Sequence, residues 1–173
     1  NLTIERSTVR DNLVYDMGGG ILNTGNLVVT DSRIINNGGY NGGGGLTNAE
    51  GATATISGSL IADNESFYYT AGISNYGVMV ITNSTVSGND SWENGAGGIT
   101  NYETGMMALN NVTVSGNVVS YDGTGGVLNF GDLTLNRTII SGNFFDYVGD
   151  NYDTIYQSEI TNVGTITVNN RNV

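Results

Sequence analysis

The chain has 173 residues, enough for one domain with a sizeable core. Sixteen acidic residues against five arginines give a formal net charge of −11, which repels nucleic acid and anionic membranes. With no Cys, a thiolate zinc site and a disulfide scaffold are excluded, and with no His or Cys a transition-metal centre is not expected; Lys and Pro are absent too. No run of 18 apolar residues exists to span a bilayer as a helix.

Read in chain order, the sequence repeats itself. The first unit runs through a short strand carrying Leu2 and Ile4, then Ser7-Thr8-Val9 closed by Asn12, an aromatic at Tyr15, Gly19-Gly20-Ile21, and Asn23. The second offers Leu27-Val28-Val29, Ser32-Arg33-Ile34 closed by Asn37, Tyr40, Gly44-Gly45-Leu46 and Asn48. The third has Ala54 and Ile56, Ser59-Leu60-Ile61 closed by Asn64, Tyr68, Ala71-Gly72-Ile73 and Asn75. The fourth has Met79 and Ile81, Ser84-Thr85-Val86 closed by Asn89, Trp92, Gly97-Gly98-Ile99 and Asn101. The fifth has Met107 and Leu109, Val112-Thr113-Val114 closed by Asn117, Tyr121, Gly125-Gly126-Val127 and Asn129. The sixth has Leu133-Thr134-Leu135, Thr138-Ile139-Ile140 closed by Asn143, Tyr147, and Ile160-Thr161-Asn162 without the glycines; Ile166 and Val168 then begin the pattern again.

The unit is 25–28 residues long and contains three strands of two to five residues separated by turns. Such a strand cannot bury an apolar face alone. Stacking unit on unit pairs every backbone group with the coil above and below, at about 4.8 Å per coil. Alternation of period two then turns three aliphatic columns inward. They are Leu2, Leu27, Ala54, Met79, Met107, Leu133, Ile166; Ile4, Val29, Ile56, Ile81, Leu109, Leu135, Val168; and Val9, Ile34, Ile61, Val86, Val114, Ile140, Val173. The fold expected is all-β: a right-handed parallel β-helix, or solenoid, of about six coils, forming one domain over 1–173 that is uncapped at both ends. A β-sandwich would lack the constant period, and a leucine-rich repeat would show a Leu-dominated helical half. The two asparagine columns sit where the chain bends, since Asn tolerates the left-handed region and its amide can stack as a ladder. One is Asn23, Asn48, Asn75, Asn101, Asn129, Asn162, and the other Asn12, Asn37, Asn64, Asn89, Asn117, Asn143.

The Gly-Gly-Ile…Asn-x-Gly-x-Leu-x-Val…Ser-Thr-Val-Ser-Gly-Asn phrasing resembles the right-handed β-helix repeats of bacterial cell-surface proteins, of the polymorphic outer-membrane-protein and autotransporter-passenger type. The resemblance covers nearly the whole chain and implies an exposed, adhesive or scaffolding role, secreted or at a cell surface.

Chemistry is sparse by comparison. Polysaccharide lyases on this kind of fold use Ca²⁺ and a Lys or Arg base. This chain has no Lys, and none of Arg6, Arg10, Arg33, Arg137 and Arg171 falls between positions 34 and 136. A hydrolase needs two or three carboxylates grouped on adjacent coils, whereas Asp16, Glu65, Asp90, Glu93, Asp122, Asp146, Asp150 and Asp153 read as charges of variable loops. No enzyme and no cofactor are expected. One exception stays open, a Ca²⁺ ion among Asp146, Asp150 and Asp153, whose oxygens are closely spaced. Gly42–Gly45 is not a phosphate loop, because neither Lys-Ser/Thr nor a helix follows.

Three features exceed what folding needs. The aromatics Tyr15, Tyr40, Tyr68, Trp92, Tyr121 and Tyr147 recur at one point of each unit and form a candidate outer stripe for a glycan or protein partner, if they do not simply pack on one another. Of the Asn-x-Ser/Thr sequons at Asn1, Asn64, Asn83, Asn89, Asn111 and Asn136, those at Asn83, Asn111 and Asn136 are best placed to carry sugar. Lastly, Leu2–Val9 and Ile166–Val173 have the same phase. The leading expectation is therefore a non-enzymatic extracellular subunit or segment of a fibre, joined to itself head-to-tail through these coils. Arg6 and Arg10 would face Asp146, Asp150, Asp153 and Glu159. The alternative is an adhesin module working through the aromatic stripe, with a polysaccharide lyase or hydrolase a remote third.

Overall fold

A computed structural model of the chain describes residues 1–148 and 153–169; for 147, 148, 153 and 154 it describes the backbone alone. It is a parallel β-solenoid of about six turns with no helix among the described residues. Sheet A contains seven strands in coil order: Leu2–Glu5, Asn26–Thr30, Thr53–Ser57, Val78–Thr82, Met106–Asn110, Asp132–Asn136 and Thr165–Asn169. Sheet B is formed by Thr8–Arg10, Arg33–Ile35, Leu60–Ala62, Thr85–Ser87, Thr113–Ser115 and Ile139–Ile140. Sheet D is formed by Ile21–Asn23, Leu46–Asn48, Ile73–Asn75, Ile99–Asn101, Val127–Asn129 and Ile160–Asn162.

The registers align the aliphatic columns. Leu27 pairs with Leu2 and Ala54, Val29 with Ile4 and Ile56, and Ile34 with Val9 and Ile61. Their partners continue to Ile166, Val168 and Ile140; Val173 lies outside the described residues. Val29, Ile34, Ile56, Ile61, Ile81, Val86, Leu109 and Val114 are fully buried. This core is the main stabilising term, at about 1.5–3 kcal/mol for each large aliphatic side chain removed from water.

Three expectations need correction. First, each coil has four strands, not three. A fourth sheet, C, runs through the segment read as a variable loop: Leu13–Val14, Gly38–Gly39, Glu65–Tyr68, Asp90–Glu93, Val118–Val119 and Phe144–Val148. Its inward positions Gly39, Ser66 and Ser91 are small or polar, so no apolar alternation announces it. Second, the last coil is longer than 25–28 residues. Asn129 and Asn162 bond in register across 33 positions, because Phe144–Val148 turns back through Asp153–Gln157 as an antiparallel pair. Sheet C therefore ends on an antiparallel strand rather than on a bare parallel edge.

Third, the ladder asparagines are not themselves left-handed. The residue before each one of the Asn12 column is: Asp11, Asn36, Asp63, Gly88, Gly116 and Gly142 have φ of 59°, 57°, 54°, 64°, 65° and 70°. The corner between sheets A and B repeats the device at Arg6, Asp31, Gly58, Asn83, Asn111 and Arg137, with φ between 45° and 58°. One left-handed residue at each of these two corners turns the chain, and at the corner between sheets B and C the asparagine that follows clamps it.

The clamps are buried hydrogen-bond ladders. Asn23 Nδ2 donates to Asn48 Oδ1 at 2.7 Å, and the chain of bonds continues through Asn75, Asn101 and Asn129 to Asn162. In the other column each backbone N–H and each Nδ2 donates to the next Oδ1, from Asn12 through Asn37, Asn64, Asn89 and Asn117 to Asn143. A serine ladder joins them: the N–H groups of Ser7, Ser32 and Ser59 donate to the hydroxyls of Ser32, Ser59 and Ser84, each at 3.1 Å. Buried polar groups are costly unless paired, and here each rung is paired by its neighbours.

Candidate functional site

The outer face of sheet C carries the candidate site. Period-two alternation sends Val14, Gly39, Ser66, Ser91 and Val119 inward. One outer row is then Leu13, Gly38, Glu65, Asp90, Val118 and Phe144, in register from coil to coil. Two residues further on, the next outer row begins Tyr15, Tyr40, Phe67, Trp92.

Those four rings form a continuous stack. Tyr15 and Tyr40 lie 6.1 Å apart and tilted, Tyr40 and Phe67 5.1 Å apart at 3°, and Phe67 and Trp92 5.8 Å apart at 10°. Tyr121 extends the stack, 6.4 Å from Trp92 and tilted by 34°. The expected stripe is thus present with one substitution: the third rung is Phe67, not Tyr68. Tyr68 stands edge-on against Tyr40 and Phe67 at 5.2 and 4.9 Å. Its phenol is held above its ordinary pKa, chiefly by a hydrogen bond with Tyr40. The side chain of Tyr147 lies outside the described residues. Tyr15 is 87% exposed and Trp92 52%, so the stack stands on the surface of the solenoid.

Because the central rings are nearly parallel at coil spacing, their faces are turned to one another and their edges to solvent. That arrangement suits lateral contact with a protein surface better than flat stacking on a sugar ring.

The acids read as loop charges stand partly on the strands: Glu65, Asp90 and Glu93 belong to sheet C. Burial pushes the Asp90 carboxyl up from its usual range, and the neighbouring charges of Glu65 and Asp146 add to the effect. Of the three candidate Ca²⁺ ligands, Asp150 and the side chain of Asp153 lie outside the described residues. Asp146 Oδ1 is buried without a hydrogen-bond partner. Among the described residues no group of three or more acids is placed to hold a metal ion.

A groove of about 320 Å³ lies beside the stack, between Leu13, Tyr15, Tyr40, Glu65 and Phe67, with Trp92 at its far end. Its floor is Gly38. At that position of the row the flanking coils carry Leu13 and Glu65, so glycine leaves a shallow notch with the Leu13 Cδ1 atom reaching over it. A second, polar hollow opens from the same notch toward Asp11, Asp63 and Glu65. A smaller stack, Tyr76–Tyr102 at 4.0 Å and Tyr102–Phe130 at 6.4 Å, stands at the corner between sheets D and A. Burial and the adjacent Tyr102 hold the Tyr76 phenol far above its ordinary pKa.

The sequons divide by exposure. Asn64 and Asn89 are fully buried in the ladder. Asn1, Asn83 and Asn111 are exposed and Asn136 is half-buried; the amides of Asn111 and Asn136 donate to Asn83 and Asn110 at 2.7 and 2.6 Å.

Gly38 and Phe67 escaped sequence reasoning because both depend on knowing where the strands of sheet C begin. A register from the invariant Asn12–Asn143 column could have located them. Compared with known proteins, the chain matches no protein family, no curated protein and no solved structure.

Proposed function

We propose that this chain is a non-enzymatic extracellular solenoid module that binds a protein partner through the outer face of sheet C. The observation that carries the reading is the exposed stack Tyr15–Tyr40–Phe67–Trp92 on the outer face of sheet C. Rigid rings in register on a solenoid give large contact area at small entropic cost. The absence of His, Cys and Lys supports a binding role rather than catalysis, and the cell-surface resemblance supports the extracellular setting.

Selection of a displayed random-peptide library, alongside a glycan array, tests this reading. Binders should be enriched on the wild type and lost on Phe67→Ala and Trp92→Ala, while Tyr76→Ala on the other corner retains them. Enrichment indifferent to both stripe substitutions sinks the proposal.

End-to-end coil stacking is the second reading. It is favoured by the edge strands of sheet A, which carry the same inward columns in register and expose Leu2 and Val168. At sheet C, however, the antiparallel strand Asp153–Gln157 occupies the place of a further parallel one.

A further inference from the structure

We infer that the Gly38 notch is a seat for an arginine side chain borne on an extended segment of a protein partner. This rests on the sheet C reading and names the chemistry of what binds there.

Three observations converge on the notch. Its shape is set by the missing side chain at 38 and by Leu13, which leans over it: a Cβ at Gly38 would come within 2.7 Å of Leu13 Cδ1 and of no other atom within 4 Å, so the exposed Leu13 side chain is the movable wall that an incoming group displaces. One wall is apolar and aromatic, from Leu13, Tyr15, Tyr40 and Phe67. The other wall is acidic, from Asp11, Asp63 and Glu65.

The charges on that wall are poorly compensated. Arg10 approaches Asp11 at 3.3 Å, in an exposed pair. Asp63 and Glu65 make no ion pair among the described residues, and Glu65 also works against the ionisation of Asp90 in the next coil. The other described arginines, Arg6, Arg33 and Arg137, lie on sheet B or at the corner between sheets A and B. The face is thus complementary to a cation and unfavourable for an acidic or phosphorylated ligand.

An arginine fits both walls at once. Its methylene stem can lie along Leu13 and the ring edges while its planar guanidinium reaches the carboxylates of Asp63 and Glu65. Lysine would offer the charge without the forked donors.

The test uses Trp92, the chain's one tryptophan, which closes the far end of the groove. Its fluorescence is followed on titration with an amidated peptide alternating arginine and serine. Saturable binding that weakens with added salt is expected. Gly38→Val should weaken it about tenfold or more, since a charge-assisted contact is lost. Glu65→Gln combined with Asp63→Asn should do the same. Asp132→Asn, which removes a charge from sheet A, should leave it unchanged. Gly38→Ala is the second, milder filling variant, and circular dichroism checks both folds.

Equal affinity for wild type and Gly38→Val overturns the inference, as does an Asp132→Asn loss equal to that of the double variant, which would mean diffuse attraction only. Absence of binding by the arginine peptide overturns it too. If library-selected binders still depend on Phe67 and Trp92 in either case, the sheet C reading stands without the arginine seat.

Discussion

Glu159 occupies, toward Asn143, the place that an asparagine amide oxygen occupies on the earlier rungs. Its Oε2 accepts from Asn143 Nδ2 at 2.7 Å and from the Asn143 N–H at 3.4 Å, while Oε1 accepts from the Gly142 N–H at 2.8 Å. One coil earlier, Asn143 Oδ1 and the Gly142 carbonyl serve Asn117 and Gly116 in the same way. A side chain arriving from the end of the antiparallel hairpin thus closes the ladder. Such closure is one way of blunting a sheet edge that would otherwise present unpaired donors. Replacing Glu159 by Ala should leave three donors without their acceptor, at a local cost of about 1–3 kcal/mol. Hydrogen exchange should quicken at residues 142–143 and 158–159 while the amides of Asn64 and Asn89 stay protected. Unchanged exchange at 142–143 would show that water replaces the carboxylate without loss.

The ladders predict a gradient along the solenoid. Asn75 is fully buried, accepts from Asn48, and donates to Asn101 and to the Gly77 carbonyl. Asn75→Ala strands groups on both neighbouring coils and should cost about 2–5 kcal/mol in chemical denaturation. Asn12, exposed and at the first rung, has only one ladder neighbour among the described residues, so Asn12→Ala should cost a fraction of that. Equal losses would mean that the rungs do not share their bonds.

Asp90 gives a pH signature. Burial, with Glu65 and Asp146 nearby, raises its carboxyl pKa in the folded chain. Ionising a group whose folded pKa is raised disfavours folding. Its contribution is therefore fully present at acid pH, below the ordinary carboxylate value, and is lost as pH rises through the folded value. Asp90→Asn should accordingly raise the midpoint of thermal unfolding at about pH 7 and lose that advantage by about pH 3. A gain of the same size at both pH values would point to a cause other than ionisation.

The exchange of Phe67 for Tyr68 in the stack is itself testable. Phe67 touches Tyr40 on one face and Trp92 on the other. Phe67→Ala should cost about 1–3 kcal/mol, from two ring contacts together with the lost burial, and shift Trp92 emission toward that of a solvated indole. Tyr68 makes no ring contact with Trp92 among the described residues, so Tyr68→Ala should leave that emission in place. The opposite pattern would restore Tyr68 to the stripe.

The legibility of this fold follows the chemistry of its inward positions. Leu27, Val29 and Ile34 announce sheets A and B through period-two alternation, and the Gly-Gly-Ile…Asn phrase announces sheet D. Sheet C is silent because its inward residues include Gly39, Ser66 and Ser91, which carry no apolar signal. Its outer aromatics were visible as a recurring feature, but which of two adjacent rings faces outward depends on a strand start at Glu65 that the sequence does not mark. Nothing in the sequence marks Glu159 as a ladder partner, because Asn143 lies 16 residues away across a reversal of the chain.

The claim that sheet C is the working face is met most directly by hydroxyl-radical footprinting of the protein with and without a library-selected peptide. Tyr15, Tyr40, Phe67 and Trp92 should be protected on binding, with Tyr76 and Tyr102 unaffected. Protection confined to Leu2–Glu5 and Thr165–Asn169 would contradict it and point to the coil ends instead.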